Sequence, residues 1–464
     1  VADFFFLEVL MKKCPISIHK QLAGRCLLWD EIKQILSNWE LGEFLSVVKE
    51  LELQGLVQKQ PAVRQSSWAI HRKCNRCGAG FSYIESSHCA SCGSQKCAYC
   101  TKCLFQGRAK TCKSIFSFTP VPLNGEYEIE STYPLLYAQG NTLTKLKTMF
   151  EAKRKHIKTV FIPGSGEMLI LICFLEYLLS QNKRVFWCQE RQHITKTMEY
   201  LSVIHPRLFK HIEDKFDSSI VLGTSWDLLT YYQQFDVVIW DRIQTKLFGS
   251  EQRALIADTQ EVTIHTAFPG WFREIDIVHP VRLHRYPLPI PIFIQQHGLR
   301  KKLQNSKPII PIQQFLNEVT SLNGQGFILV PTKEDVEATM TWIKKRMPEW
   351  ADKVGCIYEE DEDAERVRIL FLDQKFTFLI MPQKLAKSMK VANLHLCLLH
   401  ADHPSLDRKR LVELSHFIGL NAYFPKCEIW FIAEWNTETI IQTKKEHNYL
   451  NQLAEKEGYL QKEA

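Results

Sequence analysis

From about residue 143 onward, short apolar runs alternate with stretches of helical periodicity. TVFI, RVFWC, SSIVLGT, FDVVIWD and VTIHTAF are β-rich, as are GFILVPT, VGCIY, FTFLIMP, NLHLCLLH and CEIWFIA further along. Strands that are apolar throughout and separated by helices predict parallel sheets covered on both faces. A basic, proline-rich joint, HPVRLHRYPLPIPIF at 279–293, interrupts the alternation. The predicted fold class is therefore α/β, with two tandem lobes over 143–285 and 286–464, and a nucleotide or nucleic-acid cleft is expected between them. Upstream, residues 1–70 predict a small helical module. In WELGEFLSVVKELELQGLVQK, Leu41, Leu45, Val48 and Leu51 fall on helical spacing before a turn at Gly55, a winged-helix-like pattern. A cysteine-rich module spans 71–115, and a linker containing Pro, Gly and Tyr spans 116–142.

Composition narrows the class. A chain of 464 residues exceeds a single core, and 45% hydrophobic with 23% charged residues describes a globular protein. The longest apolar run, MLILICFL, stops at Glu176, well short of the roughly 20 residues that cross a bilayer. The start of the chain carries Asp3 and Glu8 and no basic leader, so no secretory signal is expected. A net charge of +7 favours an anionic partner without requiring one.

Eight of the fifteen cysteines fall between positions 74 and 112. Cys74-Asn-Arg-Cys77-Gly and Cys89-Ala-Ser-Cys92-Gly are two C-x-x-C-G knuckles, in which the glycine permits the tight turn behind two thiolates. Together they are expected to complete one tetrahedral zinc site, and Cys97, Cys100, Cys103 and Cys112 to offer a second. Two roles stay open for this module, a staple for a small domain and a nucleic-acid contact. Arg72, Lys73, Arg76, Lys96, Lys102, Arg108 and Lys110 nearby favour phosphate binding. Redox chemistry is the lesser reading, because eight thiols exceed what a dithiol needs.

In FIPGSGEM, at 161–168, a strand runs into Gly164, Ser165 and Gly166 and then into a helix, the framing of a phosphate-cradling loop. No lysine stands at the loop; Lys158 and Lys183 are the nearest. The order of zinc knuckles, GSGEM, FDVVIWDRIQ, HTAFPG, FILVPT and LHADHP resembles ComFA, the late competence family of Gram-positive bacteria. The resemblance covers nearly the whole chain. It implies a relative of superfamily-2, DEAD-box-like helicases with two RecA-like lobes, using ATP and Mg²⁺. It also implies single-stranded DNA and other competence proteins at the inner face of the membrane as partners in uptake of transforming DNA, and a cytoplasmic, membrane-peripheral location.

Set against the family pattern, the motor letters are eroded. The family loop runs Gly-Ala-Gly-Lys-Thr-Glu, whereas this chain keeps Gly164, Ser165, Gly166 and Glu167 without the Lys-Thr pair. Asp241 stands where a Mg²⁺-binding Asp belongs, but Arg242 replaces the acid beside it and Gln244 ends the quartet. Ala386, Lys387 and Ser388 replace a Thr- and Arg-containing segment, and Glu413 to Leu420 lacks both finger arginines. The adenine-reading LTPxQ element is placed at Leu143 to Lys147, without its glutamine, while Thr266 and Pro269 of the coupling motif survive. The resemblance assigns DNA contacts to Arg191, Thr224, Ser225 and Trp226, the last as a base-stacking or a core residue. Arg282, with His284 and Arg285, is expected to line the groove or form a solvated hinge. The expectation is a competence protein with no catalytic residues left for ATP hydrolysis. The alternatives are an ATP-driven single-stranded DNA translocase that tolerates these changes and a scaffold without DNA contact.

Overall fold

The computed structural model describes residues 14–65, 72–122, 127, 133–213, 218–231, 234–243, 259–269, 274–358, 363–388 and 391–461. The chain forms two compact units, one from 1–132, 146–157 and 172–264, the other from 133–145, 158–171 and 265–464. Gln244 and the side chains of Lys387 and Ser388 lie outside the described residues.

The first unit begins with α1 (Pro15–Leu22), β1 (Cys26–Leu28), α2 (Trp29–Ile35), α3 (Leu41–Leu53) and β2 (Val57–Pro61). On α3, Phe44, Val48 and Leu51 turn inward at i, i+4 and i+7, while Leu41 is exposed, so the buried stripe is rotated from the one expected. The sheet beneath is completed by β7 (Ser114–Phe118), antiparallel to both β1 and β2 in the order β1-β7-β2. This helix–strand–helix–helix–hairpin order is the winged-helix-like pattern. The cysteine module is inserted between the two strands of its hairpin, and Ala62 N donates to Lys113 O where the insertion leaves and returns. Within the insertion, β3 (Val63–Gln65) pairs with β4 (Arg72–Cys74), and β5 (Ile84–Ser87) with β6 (Cys97–Cys100).

Beyond the module come α4 (Tyr137–Glu151), β8 (His156–Phe161), α5 (Glu167–Ser180), β9 (Val185–Cys188), α6 (Arg191–Ile204), α7 (Pro206–Glu213), β10 (Ile220–Gly223), β11 (Val237–Asp241), β12 (Gln260–His265) and β13 (Ile277–His279). Their strands form a sheet in the order β10-β9-β11-β12-β8-β13, with registered pairs that are parallel.

The rest of the second unit holds another parallel sheet, in the order β14-β19-β18-β15-β17-β16. It is built from β14 (Ile292–Gln295), α8 (Leu299–Gln304), α9 (Ile310–Ser321), β15 (Gln325–Val330), α10 (Lys333–Arg346), β16 (Val354–Cys356), α11 (Ala364–Leu372), β17 (Phe378–Pro382), β18 (Leu394–Leu399), α12 (Arg408–Ser415), β19 (Ile429–Ala433) and α13 (Glu438–Lys456). Every residue of β17 and β18 is buried. On β15, Phe327 and Leu329 pack into one core while Ile328 and Val330 pack into another, as the two-residue strand period requires. Two parallel α/β sheets therefore stand where the alternating pattern placed them. No helix among the described residues is long and apolar enough to cross a membrane.

Candidate metal centres and the phosphate loop

All eight clustered cysteines come together in two groups of four, but not in the expected partition. Cys74 and Cys77 join Cys100 and Cys103, while Cys89 and Cys92 join Cys97 and Cys112, the sulfurs of each group lying within 4.8 Å of one another. The cause is the antiparallel pairing of β5 with β6, which sets Ile84 opposite Cys100 and Ser87 opposite Cys97. That ribbon sends the two ends of one CAYC strand into different clusters. The knuckle turns are as expected: Gly78 and Gly93 take φ of 74° and 69°, and their N–H groups donate to Cys74 O and Cys89 O.

The donor sets fit a tetrahedral ion. Bonds of about 2.3 Å to sulfur imply S···S edges of about 3.8 Å. The observed separations are 3.7 Å for Cys74–Cys103, 3.6 Å for Cys77–Cys100, 3.6 Å for Cys97–Cys112 and 3.9 Å for Cys89–Cys112. Lys110 Nζ lies 3.5 Å from Cys89 Sγ, a cation that favours the thiolate. The first cluster is wholly buried; Cys92 and Cys112 of the second are exposed.

Of the bases expected to meet phosphate, Arg76 is corrected. Its side chain is fully buried, pairs with Glu31 Oε1 at 2.5 Å and donates from Nη1 to Gln106 O. It is a brace between the winged-helix-like part and the insertion. Lys113 likewise pairs with Asp30.

The phosphate loop is packed from several directions within the second unit. Gly164 and Gly166 take φ of 86° and 74°, the left-handed region that favours glycine. A Cβ on Gly164 would come within 2.9 Å of Leu420 Cδ2 and 3.6 Å of Arg282 Cγ; one on Gly166 would meet Gln139 Nε2 at 2.5 Å and Leu283 Cδ2 at 2.9 Å. Three hydrogen bonds fix the shape of the loop. Ser165 N donates to Ile162 O, Leu283 N donates to Gly164 O, and Gln139 Nε2 donates to Ser165 O. Ser165 Oγ donates to Glu167 Oε2, which places a carboxylate at the first turn of α5, where a phosphate would need the positive end of the helix.

Gln139 was missed in the sequence. It lies in LLYAQ, its Oε1 accepting from Leu136 N while its Nε2 donates to Ser165 O of the loop. The signal was a Leu-rich lead directly before a helix start.

Arg282 is the clearest correction among the expected DNA contacts. It is 1% exposed, and its guanidinium donates to Ile418 O at 2.7 Å, Gly419 O at 2.6 Å and His416 O at 3.0 Å. Burial pushes its pKa down to about 10, leaving it charged at neutral pH. It is a buried strut through the segment where finger arginines were sought, not a groove-lining cation. The arginines of α12 are engaged too. Arg408 Nη1 meets Glu446 Oε2 at 2.8 Å and Nη2 donates to Phe268 O, while Arg410 donates to Gln383. Burial lifts the Glu446 carboxyl to about 7 despite Arg408 beside it.

In the first unit, Asp241 is buried at the end of β11. Its Oδ2 accepts from Gln189 Nε2 at 2.7 Å and Trp187 Nε1 at 3.3 Å, and Arg242 Nε lies 3.5 Å from Oδ1. Asp241 Oδ1 is buried and accepts no hydrogen bond among the described residues. Of the other expected contacts, Arg191 opens α6 and is exposed, whereas Ser225 is buried. Thr224 is bonded through N and Oγ1 to Asp227 Oδ2. Trp226 is 39% exposed, so it is not a core residue, and its carbonyl accepts from Gln106 of the cysteine module.

Residues 12–117 match the family model of the competence protein ComFA N-terminal domain. Over 413 residues, 83% of this chain and 86% of the relative, the sequence is 21% identical to competence protein ComFA of Bacillus subtilis (strain 168). Among solved structures, RecG bound to a three-way DNA junction is similar with a TM-score of 0.41 and 12% identity. That match covers 71% of this chain and 48% of RecG, so the chain spans about half the RecG length. The helicase domain of Pyrococcus furiosus Hef gives 0.42 at 9% identity, covering 65% and 98%, and S. cerevisiae Dbp5 bound to RNA and ADP BeF3 gives 0.37 at 14%, covering 68% and 91%.

Proposed function

We propose that this chain, a member of the ComFA family of competence proteins, is a zinc-containing single-stranded-DNA-binding protein that does not turn over ATP. One observation carries the reading: Leu420, Leu283, Arg282 and Gln139 pack against both glycines of the phosphate loop. Phosphoryl transfer works through clamping the γ-phosphate and its metal, and here side chains crowd the loop's two glycines and a carboxylate stands at the first turn of the helix. Zinc is the metal assigned to the two four-thiolate clusters, where it would fix the fold of the insertion without an open coordination position.

In this reading the protein acts in uptake of transforming DNA by holding the incoming strand, in the cytoplasm beside other competence proteins at the inner face of the membrane. The alternative, an ATP-driven translocase, draws on Gln139 beside the loop and on Asp241, whose Oδ2 is held by Trp187 and Gln189 while Oδ1 accepts no hydrogen bond among the described residues and has Arg242 Nε 3.5 Å away. Purified protein separates the readings. We expect salt-sensitive binding to oligothymidine and no phosphate release from ATP with or without it. Oligothymidine-stimulated release that disappears in Asp241→Asn would establish the translocase; failure to bind oligothymidine would leave only a scaffold.

A further inference from the structure

With Arg282 and Ser225 buried, the strand needs another contact surface, and the cysteine module presents one. Residues 72–113 contain eight basic side chains and one acid, Glu85. Even with two four-thiolate centres subtracting charge, the module stays positive. On it, Phe81 is 62% exposed and Tyr83 39%, both on one helical turn between the knuckles. Thr101 N donates to Tyr83 O, which fixes that turn against the start of the next, and the Lys102 ammonium stands 3.8 Å from the centroid of the Tyr83 ring. Gln106, in the same following segment, donates to the carbonyl of the exposed Trp226.

Lys102 caps one face of the Tyr83 ring, so the more open aromatic surface is that of Phe81, and the capped pair on the same turn brings a charge for the phosphate of a base stacked there. A duplex, with its bases already stacked, gains only the charge. We propose that Phe81, Tyr83 and Lys102 form a stacking platform for single-stranded nucleic acid, held rigid by the metal clusters and continued by Trp226. The platform rests on the single-strand-binding reading above and locates it.

The test uses the full chain with its metal and a fluorescent 15-residue oligothymidine, read by anisotropy across a salt series. Tyr83→Ala and Phe81→Ala are each expected to weaken binding by about 5-fold to 100-fold, Tyr83→Phe to leave it unchanged, and Lys102→Ala to flatten the logarithmic salt slope by about 0.7. Tyr137→Ala, at an exposed tyrosine of the second unit, is the control. Zinc content and melting temperature equal to the parent chain exclude misfolding. If the parent binds and the folded Tyr83→Ala and Phe81→Ala variants bind equally well, the platform is wrong while the function stands. If the parent itself does not bind, both fall.

Discussion

The cysteine module and the phosphate loop depart from expectation in opposite ways. In the module every reactive group survives and only its partners differ, because a strand pairing carries Cys97 and Cys100 to opposite clusters. At the loop the expected backbone frame is present, with both glycines in the left-handed region, and side chains from far along the sequence pack against it. Chemistry that depends on residue type persists through rearrangement of the chain. Chemistry that depends on an open space is exposed to crowding by a few side chains from far along the sequence.

The largest expected effect breaks the comparison at the metal side. Cys77→Ser with Cys89→Ser removes one ligand from each cluster and should take bound zinc from about two per chain toward none. Cys77→Ser with Cys100→Ser damages one cluster and should leave about one. Structural zinc contributes roughly 10 kcal/mol or more to folding of such modules, so the first pair should also unfold the insertion. Equal metal loss from both pairs, read by elemental analysis, would contradict the partition.

Acid sharpens the comparison next. Among the described residues, burial holds the imidazoles of His265, His279, His395 and His447 down at about 4, and that of His416 well below its ordinary 6.5. All lie in the second unit. Below pH 6.5 the unfolded chain takes up protons that the folded one refuses, so stability is full above that pH and falls toward pH 4, by about 1.4 kcal/mol per unit for each group. Glu446 opposes this between its ordinary 4.5 and about 7, as one group against these imidazoles and those of His284 and His400, which burial also lowers. Chemical denaturation at pH 7.5 and 5.0 should show a large loss, and unchanged stability would refute the buried neutral imidazoles.

Arg282→Ala should cost about 3 kcal/mol, since the carbonyls of Ile418 and His416 lose their donor in a buried site while that of Gly419 keeps His284 Nε2. A surface cation would cost almost nothing, so denaturant titration decides between strut and contact. The smallest effect is that of Leu420→Ala. The side chain is 39% exposed, and its loss should cost about 1 kcal/mol.

The strands were legible because parallel strands buried on both faces leave uninterrupted apolar runs, and β17 and β18 follow FTFLIMP and NLHLCLLH closely. The knuckle turns were legible because a C-x-x-C-G turn calls for glycine at positive φ, as Gly78 and Gly93 adopt. Cysteine partners were not, since spacing along the chain does not reveal strand pairing. Nor were the roles of Arg76 and Arg282: a guanidinium reads alike whether it meets phosphate, a carboxylate such as Glu31, or carbonyls such as those of His416 and Gly419. Gln139 escaped because nothing in its sequence neighbourhood points to Ser165, which only the fold brings within hydrogen-bonding distance.

Isothermal titration of the zinc-loaded chain with ATP and Mg²⁺, alone and with oligothymidine present, tests the filled loop most directly. Packing of Leu420, Leu283 and Gln139 against the glycines predicts no saturable binding up to millimolar nucleotide. One-to-one binding that Gly166→Val abolishes while the chain stays folded would contradict it.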